Sequence, residues 1–209
     1  MMECSGQEKR EFVQENCKAD SIRDTLQREV LKMAEDAGFS HMALADRATW
    51  HTMKEVRDMC AADKCNAYGH SWTCPPACGT IEECQARMME YDWGVLVQTT
   101  QMLEDSMDYE GMMEGEKTQK ERFSDFLQRL REKHIDVLAL SSGGCRICRK
   151  CSYPDSPCRF PEKAHSSMEA YGLLVSQVCK DNDLGYYYGK DTVTYTGLML
   201  VKEHSGSAK

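Results

Sequence analysis

Nine of the twelve cysteines in this 209-residue chain crowd into two short stretches, and that crowding constrains the fold more than any other feature. Cys60, Cys65, Cys74, Cys78 and Cys84 fall in one stretch, and Cys145, Cys148, Cys151 and Cys158 in the other. A thiol can pair with another thiol, bind metal or stay idle, and the compartment largely decides among these. The N-terminus, Met1-Met2-Glu3-Cys4-Ser5-Gly6-Gln7-Glu8-Lys9-Arg10, lacks the apolar core of a secretory signal, so the expected location is the cytoplasm. In a reducing compartment structural disulfides are rare, and clustered thiols read as metal ligands or redox groups.

The second stretch carries the sharper signal. Its spacing is Cys145-x2-Cys148-x2-Cys151-x6-Cys158. Three thiolates within seven residues can wrap three corners of one four-iron cube, and the distant fourth can close it. Bacterial ferredoxins share the Cys-x2-Cys-x2-Cys opening, with a shorter gap to a fourth cysteine. A zinc site more often takes two Cys-x2-Cys knuckles well separated in sequence, so zinc is the alternative metal. Gly143 and Gly144 would let backbone approach a cluster, and prolines 154, 157 and 161 would stiffen the wrapping loop. Arg146, Arg149, Lys150, Arg159 and Lys163 surround the motif. Such cations stabilise an anionic cluster, or dock an acidic redox partner.

The first stretch reads Cys60-x4-Cys65-x8-Cys74-Pro75-Pro76-Ala77-Cys78 and matches no simple finger or ferredoxin. The proline pair fixes the backbone just after Cys74. Tyr68 and Trp72 are expected to shield a cluster from water, with plain core packing as the alternative for both. Cys84 falls inside an expected helix as a buried apolar residue, and Cys4 and Cys17 are bystanders. His70 is a minor ligand candidate, because thiols already outnumber the places for them.

Composition bounds the rest. A formal net charge of -8 argues against binding nucleic acid or an anionic membrane, since both need a basic face. No stretch approaches the roughly 18 apolar residues of a membrane span. Hydrophobic content of 41% is enough for a real core.

Residues 21–37 place Ile22, Leu26, Val30, Met33, Ala34 and Ala37 at helical spacing, with Gly38 as a stop. Short strands are expected over 41–46, 95–99 and 135–140, and a closing strand or hairpin over 192–201. Helices are expected over 80–91, capped by Thr80, and over 115–133 and 166–180. The expected fold class is α/β: helices and strands alternating in an α/β sandwich, its sheet open to being mixed, with two cysteine-rich metal-binding loops. Residues 20–203 form the single domain, preceded by a flexible segment 1–19 and followed by a disordered tail 204–209.

Tyr68-Gly69-x2-Trp72-x-Cys74-Pro75-Pro76, the Cys145 to Cys158 run, and Ser167-Met168-Glu169-Ala170-Tyr171-Gly172 together resemble a family of predicted metal-binding proteins, domain of unknown function 2284, common among anaerobes. The resemblance implies metal binding through iron–sulfur ligation over roughly residues 20–203, and assigns no reaction. By motif, Cys60, Cys65 and Cys74 match its first ligand group, and Cys145, Cys148, Cys151 and Cys158 its second. Family members often carry cysteine where this chain has Tyr171, so the fourth ligand of the first site stays open between Cys78, Cys179 and none.

Three functions compete. The first is an iron–sulfur protein, with one or two 4Fe–4S clusters, serving a redox partner protein in electron transfer; no dinucleotide or phosphate-loop fingerprint accompanies the cysteines. The second is an enzyme with an incompletely ligated first cluster beside a pocket, where Tyr68, His70, Trp72 and Tyr171 would donate protons or orient substrate. The third is a zinc-stabilised interaction module.

Overall fold

The computed structural model describes residues 22–203; residues 1–21 and 204–209, and with them Cys4, Cys17 and the expected terminal segments 1–19 and 204–209, lie outside the described residues. Helix α1 occupies residues 22–36 and ends at Gly38. Then come β1 (His41–Asp46), α2 (Lys54–Ala61), α3 (Ile81–Met88), β2 (Trp93–Met102), α4 (Tyr109–Glu132), β3 (Asp136–Leu140), α5 (Val175–Asp181) and β4 (Thr192–Lys202). Single 3-10 turns sit at Arg47–Thr49 and Glu169–Tyr171. The class is α/β, as expected.

The sheet has the order β1-β2-β4-β3, and every pairing is antiparallel. The last strand therefore inserts between two earlier ones instead of closing an edge. Both central strands are covered on both faces, so residues 93–99 and 197–201 are continuously buried apart from Gly197's lack of a side chain. Period-two alternation still sorts them. Trp93, Val95, Val97, Met199 and Val201 face a core built with Val30 and Ala34 of α1 and Phe123, Phe126 and Leu130 of α4. Leu96, Leu198 and Leu200 face the opposite core, with Cys84 and Met88 of α3 and Val178 and Cys179 of α5. Helices on both faces make a three-layer sandwich. No helix among the described residues is long and apolar enough to cross a membrane.

Several expected elements differ from those observed. Helix α4 begins at Tyr109, six residues before the expected start, because Asp108 caps it by accepting from Gly111 N at 2.8 Å. The segment 166–180 is not one helix. Gly172, at φ +83°, ends the 3-10 turn in the left-handed region, and Leu173 then bridges Thr52 before α5 begins. Helix α2 had no counterpart in the sequence reading. The capped helix at Thr80 forms as expected, with a full capping box between Thr80 and Glu83.

Candidate metal centre

The two cysteine stretches lie on or beside loops that leave this scaffold at neighbouring points, with Cys60 and Cys84 on the flanking helices α2 and α3. Residues 62–80 connect α2 to α3, and residues 141–168 leave β3 and return to the sheet, with Ser141 pairing in parallel with Ser167. None of the ten described cysteines is in a disulfide.

In the second loop, Cys145, Cys148, Cys151 and Cys158 all line one small cavity. Its remaining wall includes Ser71, Trp72 and Thr73 from the first loop. Burial pushes the Cys145 thiol up, and the neighbouring thiols of Cys158, Cys151 and Cys148 add to that. Burial acts the same way on Cys151, yet its pKa is lowered. Hydrogen bonds from the backbone of Tyr153, Trp72 and Ser152 and from the Ser71 side chain outweigh it. That is the environment of a sulfur prepared to carry negative charge.

Loop shape is held from outside the cysteines. Ser152 Oγ donates to Pro157 O at 2.8 Å, and the Arg159 guanidinium to Lys150 O at 3.0 Å. Trp72 Nε1 donates to Ser156 O at 3.0 Å, and its ring meets Tyr153 edge-on with centroids 4.9 Å apart. Trp72 thus belongs to the first loop by sequence and to the second by contact. Tyr68 sits at the surface, its backbone N–H on Asp63 Oδ1 at 2.9 Å. Arg146 and Arg149 are exposed; Arg146 reaches Glu116 at 3.5 Å, and Lys120 joins the same carboxylate at 2.6 Å. A Cβ at Gly144 would meet nothing within 4 Å, and at Gly143 only Glu116 at 3.8 Å. Close packing within the chain therefore does not explain either glycine, although Gly143 does take φ +62°.

Around the first loop, Cys60 in the last turn of α2 lies within electrostatic range of Cys65 and Cys74, and Cys74 also of Cys65 and Cys78. Cys60 and Cys74 are both pushed up, chiefly by burial. Cys60 Sγ lies 3.8 Å from Glu169 O, and Cys78 Sγ 3.6 Å from Ala170 O, so the 169–171 turn forms a floor beneath both. Cys78 sits next to Cys84. A hydrogen bond from that thiol, with help from the Arg57 guanidinium 3.4 Å away, outweighs burial and lowers the Cys78 pKa, while Cys84 is pushed up. Cys84 is fully buried in α3, as expected. Cys179 is also fully buried, in α5, where Gln98 donates to its sulfur at 3.6 Å.

Sequence reasoning missed Ser71, Thr73 and Arg57. Both hydroxyls are buried and 3.1 Å apart. Ser71 hydrogen-bonds toward Cys74 of one set and Cys151 of the other. The only signal in the sequence is hydroxyl residues interleaved in Ser71-Trp72-Thr73-Cys74. Among the described residues, no three or more His, Cys, Asp or Glu side chains converge as they would around a single ion. A four-iron cube meets each thiolate at a different iron, so its ligands need only ring a common cavity. Four free thiols around one cavity, with backbone amides turned to sulfur, fit such a group. A larger cavity of about 700 Å³ opens between the two sets, with Cys78 on one wall and Cys158 on another.

No curated protein matches the chain. Among solved structures, epoxyqueuosine reductase from Bacillus subtilis aligns with a TM-score of 0.39 and 13% identity, over 88% of this chain and 50% of that one. The chain thus spans half the length of that protein. The model of the family described as predicted metal-binding protein, DUF2284, matches residues 43–201, a span that holds both cysteine loops, β2 and β3 whole, and most of β1 and β4. The chain belongs to that family.

Proposed function

We propose that the chain is an iron–sulfur protein with two 4Fe–4S sites, one held by Cys145, Cys148, Cys151 and Cys158 and the other by Cys60, Cys65, Cys74 and Cys78. One observation carries the reading: a single segment, Ser71 to Cys74, touches both thiol sets. When bound, such clusters supply one-electron redox chemistry. The residues of this chain then have definable tasks. The amides of Trp72 and Tyr153 stabilise charge on Cys151, which favours a reduced site. Arg146, Arg149 and Lys150 present exposed cations at the second loop, where an acidic redox partner can dock. Unpaired thiols suit a reducing compartment, and we place the chain in the cytoplasm.

Cys78 is the preferred fourth ligand of the first site, because it adjoins Cys74 and has an environment that lowers its pKa. A second reading, catalysis at that site, is favoured by the cavity between Cys78 and Cys158, with Tyr171 on its wall. A carrier has no need of such a space.

Parallel anaerobic preparations of Cys151→Ala and Cys74→Ala test the ligand sets. Each variant should lose about four irons and melt earlier, since ligation and folding are coupled. Full iron with unchanged melting in both would defeat the assignment. Zinc in place of iron, in colourless protein, would favour the interaction module.

A further inference from the structure

The cavity of about 700 Å³ sits at the free edge of β3, between the layers on the two faces of the sheet. Its volume lies within the range of small-molecule sites, roughly 300–1,000 Å³. Arg87 reaches it from α3 on one face, and Arg131 from α4 on the other. Two guanidinium groups on one cavity stand out in a chain of net charge -8. Arg87 is fixed: its Nη1 donates to Tyr171 Oη at 2.6 Å and to Cys78 O at 3.4 Å. Because the phenol oxygen accepts that bond, its own O–H remains available to donate into the cavity. Arg131 is steadied by donating to Glu162 O at 2.9 Å, and the exposed Glu162 carboxylate stands 4.0 Å from it, a weak surface pair that a bound anion would have to displace or share. The Glu83 carboxylate also lines the space, but it accepts from Thr80 N at 2.8 Å in the capping box.

The β3 edge adds N–H donors, alongside carbonyl acceptors. Ser141 turns both its polar groups away from β4, donating to Ser166 O at 2.9 Å and accepting from Met168 N at 3.2 Å. Two-residue alternation turns those of Val137 and Ala139 the same way, and both residues line the cavity. Those two positions stand about 6.8 Å apart along the strand.

We propose that this cavity binds a small organic dianion of the dicarboxylate class, one carboxylate on Arg87 and Tyr171, the other on Arg131, with its length along the β3 edge. A guanidinium fork suits carboxylate and phosphate alike. Helices on opposite faces of the sheet carry the two forks, so the site addresses two separated charges and not one compact phosphate. His165 lines the same space, and burial followed by the Arg131 charge lowers its pKa to about 4. It is neutral near pH 7 and serves as a hydrogen-bonding wall. With Cys78 and Cys158 on its walls, the cavity is placed where a substrate of the proposed metal sites would lie, and in that respect alone the inference rests on that reading.

The test is calorimetric titration of the anaerobically purified full chain with succinate, glutarate and inorganic phosphate at low ionic strength, with iron counted on the same sample. One dicarboxylate per chain should bind, more tightly than phosphate. Arg131→Gln should weaken it about tenfold or more, whereas Arg129→Gln, two residues away and paired with Asp125, should leave it unchanged. Arg87→Gln, checked by melting for intact folding, should weaken it similarly. Absence of dicarboxylate binding in iron-loaded protein overturns the inference and spares the metal reading. Equal losses in Arg131→Gln and Arg129→Gln, or phosphate binding as tightly, also overturn it. Succinate binding by protein with no iron sustains it and sinks the metal reading.

Discussion

Replacing Trp72 with Phe isolates the tie between the two cysteine loops. Phenylalanine keeps a ring against Tyr153 but loses the Nε1 bond to Ser156 O, now 3.0 Å long. An exposed hydrogen bond of this kind contributes about 0.5–1.5 kcal/mol, and the trimmed ring forfeits roughly 0.5 kcal/mol of edge contact. The sum, about 1–2 kcal/mol, acts on the local opening of residues 152–158 before it acts on global unfolding. It should therefore raise the open population of that loop roughly 5–30-fold. Iron release to an excess of chelator, followed anaerobically, should show two phases. The phase belonging to Cys145, Cys148, Cys151 and Cys158 should accelerate by that factor, and the other should hardly change. Assigning the phases with Cys151→Ala makes the result decisive. Equal acceleration of both phases, or none despite a lowered melting point, would refute the role of Trp72 as a clamp on the second loop.

Three further outcomes are expected. His165 is a base whose folded pKa, about 4, lies below its unfolded value of 6.5. Between those values the unfolded chain binds more protons, so this group's contribution to stability is intact above pH 6.5 and declines as pH falls toward 4. Melting curves of His165→Gln should accordingly lose less stability than the parent between pH 7 and pH 5. Gly197→Ala would bring a Cβ within 2.5 Å of Phe123 Cε2, and overpacking should cost about 1–3 kcal/mol in denaturant unfolding. Thr80→Ala removes the cap that accepts from Glu83 N and should destabilise the chain by about 0.5–2 kcal/mol, read as a lower melting point.

Local signals were legible in the sequence, and contacts between distant residues were not. The Thr80 and Glu83 capping box announces α3 within four residues, and β1 is found with the expected bounds because Gly38 isolates it from α1. Helix α4 was expected only from Gly115, yet it starts at Tyr109 and runs through both Gly111 and Gly115. Gly115 is in fact a close-approach site, where a Cβ would stand 2.8 Å from Gln101 and 3.0 Å from Tyr195. The break at Gly172 was missed because 166–180 keeps an apolar pattern on both sides of it. Its physical cause is the pairing of Leu173 with Thr52, more than a hundred residues away. The same limit applies at the site. Cysteine spacing marked both loops, whereas the position of Trp72 against Ser156, and of Ser71 between Cys74 and Cys151, depends on how the fold brings those loops together.

In the function proposed above, thiolate sulfur holds inorganic iron in both loops. Iron, acid-labile sulfide and zinc counted per chain, on protein made and purified without oxygen, decide whether it does. About eight irons and about eight sulfides per chain, with little zinc, are expected. Chains that retain their fold with no bound iron would contradict it.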